Sequence, residues 1–462
     1  MGSDCRSLMF TVWRCEPELV APATATPREL KLLSDIDDQE GLRIQIPLVQ
    51  FYGNETEATM EGKDPVEVIR GALAQTLVFY YPFAGRLREG PNRKLMVDCT
   101  GEGVMFIEAD ADVTLDQFGH SLAPPFPCFQ QLLYHVPGSD GIINSPLLLI
   151  QVTRLKCGGF IMGIRMNHTM CDGGGLSLFM NALAEMCRGA SEPSIPPVWR
   201  RELLQARHPP RITCNHREFE QVPGSSQEVT MTSYEHMVQR SFFFGPIEIA
   251  AIRRLVPKHL REFTTFDVIT ACLWYCRTKA LQIEAEEDVR IMWIVNARAR
   301  FNPPLPVGYY GNAFAYPSVV TTAGKLCGNP FGYAVQLINK VKGEVTEEYM
   351  HSVADLMVTK GRCLFTTVRS FIVSDLRRFN FRELNFGWGK AVYGGVAKAG
   401  AGPFPGVTFL NPYKNAKGEE GLVFPLWLPA KAMDRFANEL HHMLGNQNQS
   451  TKNDPIFHKS TL

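Results

Sequence analysis

An α/β protein built in two halves is what the sequence predicts, and three observations carry that expectation. At 462 residues the chain is longer than one hydrophobic core ordinarily supports. Strand-length apolar runs alternate with stretches of helical period in both halves. Between them "SEPSIPPVWRRELLQARHPPRITCNHREFEQVPGSSQ" is rich in Pro, Ser and charge and sustains no period, which predicts a crossover linker over 191–227. The division expected is therefore 1–190, the linker, and 228–462.

Taken in order, "SPLLLIQVTRL" and "FIMGIRMN" flank the turn "KCGG", a hairpin of two half-buried or buried strands ending at Asn167. His168 follows directly, and Gly173-Gly174-Gly175 is expected to let the backbone turn sharply before the next element. From Leu176 the apolar positions Leu176, Phe179, Met180, Leu183, Ala184 and Cys187 recur at three- and four-residue spacing. They predict a helix with one face on the sheet, stopping near Gly189. Beyond the linker, "VQRSFFF" reads as a strand, "IEIAAIRRLV" after Pro246 as a helix, and "TTFDVITACLWYCRTKAL" as a helix capped near Thr264 or Thr265. "VRIMWIVNARAR" reads as another strand.

Apolar residues make up 45% of the chain and charged residues 20%, a globular composition. Lys plus Arg equals Asp plus Glu at 47 each, so no net field favours nucleic acid, and small molecules are the expected partners. No segment reaches the unbroken apolar length of a bilayer span, and the N-terminus lacks a basic start followed by an apolar run. The expectation is a chain without a membrane span, not secreted. Twelve cysteines contain no CxxC pair, and Cys272 and Cys276 are spaced as neighbours on a helix face, so reduced thiols are expected and no metal site.

The stretch "RMNHTMCDGGG" holds the candidate chemistry. Histidine is the side chain whose ordinary pKa lies near working pH, so His168 can serve as a general base; a packed hydrogen-bonding role is the alternative. Asp172 could orient the imidazole or pin the backbone, and the structural role is preferred. The chain contains no G-x-S-x-G elbow, H-E-x-x-H helix or Walker A loop. "NFGWGKAVYGG" lacks the spacing and the following helix of a dinucleotide site, and it reads as a tight-turn segment around a buried Trp388.

His168-Thr-Met-Cys-Asp172-Gly173 matches the HxxxD motif of the plant acyl-CoA-dependent acyltransferases of the BAHD family. Asn385-Phe-Gly-Trp-Gly389, about two hundred residues on, resembles that family's second signature, DFGWG. "YYPFAGRL", "LSDIDDQ" and "PPLPVGYYGN" are similar to family segments too, and the resemblance runs over essentially the whole chain. It implies a two-domain fold like that of chloramphenicol acetyltransferase, with mixed sheets, helices and a crossover loop. It also implies direct acyl transfer in a channel between the halves, with His168 as general base and Asp172 holding the motif's geometry. A hydroxyl shortly before the second signature lies near the reacting carbonyl in the family, and counting back selects Ser374 as the oxyanion contact. Asn385, Gly387, Trp388 and Gly389 are structural on this reading. Asn385 stands where the family has an aspartate paired with an arginine, so Asn385 is expected to accept a hydrogen bond from an arginine such as Arg298.

Within the family, "LSDIDDQEGLRIQIP" and "PPLPVGYYGNAF" look most like alcohol acyltransferases that make volatile and benzoate esters. That implies acyl-CoA as cosubstrate, benzoyl-CoA foremost, a small alcohol such as benzyl alcohol as acceptor, and no bound cofactor or metal. A short aliphatic acyl donor or an alkaloid alcohol is the alternative, with a non-catalytic acyl-CoA-binding protein or a thioesterase behind it. A monomer in the cytosol is expected, and Ser460-Thr461-Leu462 echoes the S-K-L address of the peroxisome.

Overall fold

The computed structural model describes residues 8–445 apart from 56, 58–59, 120–121, 134, 136–140, 223–236 and 261. Residues 223–227 of the expected linker and Ser460-Thr461-Leu462 lie outside the described residues.

Two mixed sheets organise the molecule. In the first, the strands run Val12–Arg14, Val104–Ala111, Leu148–Leu155, Phe160–Asn167, Gln45–Tyr52 and Tyr393–Val396, with Glu18–Val20 also pairing on Val104–Ala111. The expected hairpin is the centre of this sheet: Leu148 lies opposite Met166 and Arg154 opposite Phe160. Both strands are buried on both faces, which explains why they read as continuous apolar runs. Helices Pro65–Phe79 and Gly173–Cys187 pack together above it, and their apolar stripes close one core with Phe83, Phe106 and Phe179 fully buried.

The second sheet runs Met237–Phe244, Glu420–Pro429, Val407–Lys414, Ser370–Asp375, Asp288–Trp293 and Ser318–Thr322. Helix Thr265–Leu281 lies under it with Ala430–Leu444, Pro246–Arg254 and Gly332–Lys342 around it. Thr264 caps the long helix, its hydroxyl accepting from Asp267 N while the Asp267 carboxylate accepts from Thr264 N. Cys272 and Cys276 share a buried face of that helix and both thiols reach Met443 Sδ, at 3.8 and 3.4 Å.

One sequence expectation needs correction, and two features of the fold go beyond what the sequence predicts. Tyr393–Val396 from the later half joins the edge of Gln45–Tyr52, with Tyr393 opposite Phe51 and Val396 opposite Leu48. Phe381, Leu384, Phe386 and Trp388 are buried in the same first core. The run "VRIMWIVNARAR" is not one strand: Asp288–Trp293 is followed by the two-residue strand Val295–Asn296 and a 3-10 turn over Arg298–Arg300. The crossover is anchored to the body of the protein at several points. Its Arg201 is 1% exposed, and Arg207 ties it to helix Glu347–Lys360 through Asp355 at 2.7 Å. Thr213 N and Cys214 N both donate to Ser352 Oγ on the same helix. Arg201 and Arg207 are turned inward onto partners while Arg200, Glu202 and Arg211 face water, a division that composition cannot reveal.

Candidate active site

Strand Phe160–Asn167 ends in a tight turn that presents His168. Asn167 Oδ1 accepts from Thr169 N and Oγ1, Met170 N reaches Asn167 O at 3.0 Å, and His168 N donates to Ile44 O at 2.9 Å. The half-buried imidazole lines an apolar cavity between the two sheets. Leu48 and Met166 come to this cavity from the first sheet, Ile372, Ser374 and Phe409 from the second. His168 and Ser374 therefore share one cavity. Its wall carries linked aromatic rings, Phe314 on Tyr316 with centroids 5.5 Å apart and Tyr316 on Phe365 at 5.7 Å.

Asp172 is the N-cap of helix Gly173–Cys187, its Oδ1 accepting from Gly175 N at 2.9 Å. The helix thus starts three residues before Leu176, and the triple glycine forms its first turn. That corrects the expectation of a sharp turn: close approach, not unusual backbone angles, demands glycine there. A Cβ on Gly175 would stand 1.9 Å from the carbonyl oxygen of Tyr310. Arg298 grips the Asp172 carboxylate with two nitrogens, each at 2.8 Å, and Ala313 N donates to Oδ2 at 3.0 Å. The same guanidinium donates to Gly311 O at 2.7 Å.

These contacts correct the expected partner of Arg298. It pairs with Asp172 and not with Asn385. Asn385 instead accepts from Gly387 N at 2.8 Å and donates through Nδ2 to Glu57 Oε1 at 2.7 Å, while Arg188 donates to its backbone carbonyl. Gly387 holds φ at +108°, a region closed to side chains, so the loop folds back over Met60. Trp388 is 2% exposed and packs edge-on against Phe160, with ring centroids 5.7 Å apart. None of Asn385, Gly387, Trp388 or Gly389 lines the cavity that holds His168.

Burial pushes the His168 imidazole below its ordinary value of 6.5, opposed by its own backbone carbonyl, Asp172, Asn312 and Asp37. Burial acts on the Asp172 carboxyl in the opposite direction, but Arg298 and the Ala313 and Gly175 amides outweigh it and hold the carboxyl below its ordinary value. A base whose charged form is disfavoured by burial, in an apolar cavity that it shares with a hydroxyl, can take a proton from an alcohol as it attacks a carbonyl.

Sequence reasoning assigned no role to Asp37, Arg201 or Asn312. Asp37 Oδ1 accepts from Asn312 N at 2.8 Å, Asn312 Nδ2 at 2.8 Å and Arg201 at 3.2 Å, and Asn312 Oδ1 lies 3.1 Å from His168 Nδ1. The signal available was only that "LSDIDDQ" and "PPLPVGYYGN" are family-like; which side chains within them meet is a matter of tertiary fold. Among the described residues no group of three or more His, Cys, Asp or Glu side chains is arranged to hold a metal ion.

The sequence profile of the Transferase family matches residues 10–443. Benzyl alcohol O-benzoyltransferase of Petunia hybrida is 63% identical, covering 95% of this chain and 94% of its own length. The 13-hydroxylupanine O-tigloyltransferase of Lupinus albus is 56% identical over 97% of this chain and 98% of that one. Among solved structures, vinorine synthase superposes with a TM-score of 0.71 at 22% identity, covering 92% of this chain and 96% of its own.

Proposed function

This chain belongs to the Transferase family, the BAHD acyl-CoA-dependent acyltransferases, and from that premise we propose that it esterifies an alcohol from benzoyl-CoA with His168 as general base. It is an acyl-CoA:alcohol O-acyltransferase with the α/β fold of that family, and acyl-CoA is its cosubstrate. The observation that carries the finer reading is the imidazole half-buried in an apolar, aromatic-walled cavity. In the step proposed, the acceptor oxygen bonds to the thioester carbonyl carbon as its proton passes to the imidazole. The oxyanion is met by the Ser374 hydroxyl, the C–S bond then breaks, and the proton leaves on the thiolate as free CoA. No covalent acyl-enzyme and no bound cofactor or metal enters this step. Holding both substrates in one cavity converts a bimolecular encounter into an oriented one.

Benzyl alcohol is the acceptor proposed, since the most similar of the relatives named above acts on it and since a benzoyl ring can meet Phe314, Tyr316 and Phe365 edge to face. A second reading, a tigloyl-type aliphatic donor with an alkaloid-type alcohol, is favoured only by the 56% identical relative. We propose a monomer, which light scattering on the purified protein tests. We place it in the cytosol, with a peroxisomal address at Ser460-Thr461-Leu462 as the alternative that a fluorescent fusion at either end resolves. No described helix is long and apolar enough to cross a membrane.

The experiment is free-CoA release from benzoyl-CoA with and without benzyl alcohol, with the ester identified by mass and His168→Ala in parallel. Acceptor-dependent benzyl benzoate, reduced about 10²- to 10⁴-fold in the variant, is the expected result. Release undiminished without acceptor would make the protein a thioesterase. Near-normal turnover in folded His168→Ala would remove His168 from the step.

A further inference from the structure

We propose that Asn312 is a positioning residue that fixes the tautomer of His168, placing the proton on Nδ1 and leaving Nε2 as the basic nitrogen. The inference rests on the reading of His168 as the base and extends it to which of its two nitrogens does the work.

The argument is one of donors and acceptors. Asn312 Nδ2 donates to Asp37 Oδ1 and to the backbone oxygen of His168, each at 2.8 Å. Both oxygens act as acceptors here, Asp37 Oδ1 also taking Asn312 N and Arg201. Turning the amide over would set its oxygen against a carboxylate and a carbonyl, two repulsive contacts in a buried site, so the orientation is determined by its surroundings. Oδ1 is then the atom that faces His168 Nδ1 at 3.1 Å, and an amide oxygen only accepts. The ring must therefore present N–H at Nδ1. The His168 carbonyl that also favours a protonated ring is likewise an acceptor. No described residue forms a hydrogen bond with Nε2, and the ring lines the cavity.

The clamp that orients Asn312 is itself held on several sides. Asp37 Oδ2 accepts from Ser34 N at 3.0 Å and Ser34 Oγ at 2.7 Å, so five donors converge on this fully buried carboxylate. Arg201 spans from Asp37 to the carbonyl of Met170 at 2.7 Å, inside the turn that carries His168, and its guanidinium lies 4.4 Å from the Trp199 ring centroid. The charged groups around the imidazole are Asp37 and Asp172, each matched by an arginine, Arg201 and Arg298. Asn312 is the neutral member between them, and a neutral amide can dictate a tautomer without adding a charge.

The test is ¹⁵N NMR of the full-length, histidine-labelled protein without substrate, the His168 signals being assigned by their loss in His168→Gln. Wild type is expected to show a protonated Nδ1 and an Nε2 with the shift of a free lone pair. Asn312→Ala is expected to show a tautomeric mixture, a kcat reduced by about 10²-fold or more and KM for the acyl-CoA within about threefold, the pattern of a misdirected base. If Asn312→Ala fails to fold, Asn312→Ser gives the same readout with smaller loss of volume. A wild-type spectrum with the proton on Nε2 would overturn the proposal, and so would a folded variant with unchanged tautomer and kcat. A wild type with the expected spectrum that forms no ester from any acyl-CoA would instead sink the reading of His168 as base, leaving the tautomer assignment intact.

Discussion

Taking His168 out of water penalises the charged ring, and the acid limb of kcat/KM is therefore expected to fall below the ordinary histidine value of 6.5. A limb above 6.5 in a pH profile would contradict it. Asp172 moves the other way for stability. Its folded carboxyl lies below its ordinary 3.8, so the stabilisation from Arg298 is present above that value and is lost as pH falls through the folded one. Arg298→Ala should cost about 3–5 kcal/mol at neutral pH by leaving a buried carboxylate uncompensated. The gap in Tm from wild type should narrow as pH drops below 3.8; a constant gap would place the arginine's contribution elsewhere. His168 and Asp172 were legible because they sit in one short motif whose spacing survives translation into a turn and a helix cap. Arg298 is 126 positions from Asp172, and nothing in a sequence says which of several carboxylates or amides a distant arginine will reach.

Helix Gly173–Cys187 was readable from Leu176 onward because its apolar period is sustained, but its first turn was hidden by three glycines that usually signal loops. The reason for them is the Tyr310 carbonyl pressed against the helix. Gly175→Ala should accordingly destabilise by about 3 kcal/mol through backbone displacement, although alanine is the better helix former, and thermal unfolding decides the sign. The "NFGWG" loop gives the reverse lesson. Its buried Trp388 was foreseen, while the partner of Asn385 was not, because resemblance supplied an arginine and the fold supplies Glu57. Asn385→Asp is therefore expected to lower stability by about 0.5–1 kcal/mol by setting a carboxylate against exposed Glu57, not to restore an ion pair. A raised Tm would show that Arg188 swings in to compensate. The strand expected over "VRIMWIVNARAR" ends at Trp293, and from the 3-10 turn beyond it Arg298 reaches Asp172, a tertiary contact invisible to a two-residue period.

At the scale of the whole molecule, two α/β halves were legible from length, alternation of elements and the aperiodic middle, since each reports a local or compositional property. What was not legible is that the halves exchange material, because strand pairing across hundreds of residues leaves no local trace. Residues 1–222 expressed alone should lack a cooperative calorimetric transition, as their sheet would lose Tyr393–Val396 and their core would lose Phe381, Phe386 and Trp388. A sharp transition from that fragment would show the later strand to be dispensable. The same pairing has a consequence for birth on the ribosome. Gln45–Tyr52 emerges early and its partner Tyr393–Val396 only near the end. At about 5–20 residues per second the nascent strand waits on the order of 20–70 seconds with a bare, apolar edge. Synthesis speed and chaperone supply are then expected to affect how much of the protein a cell recovers.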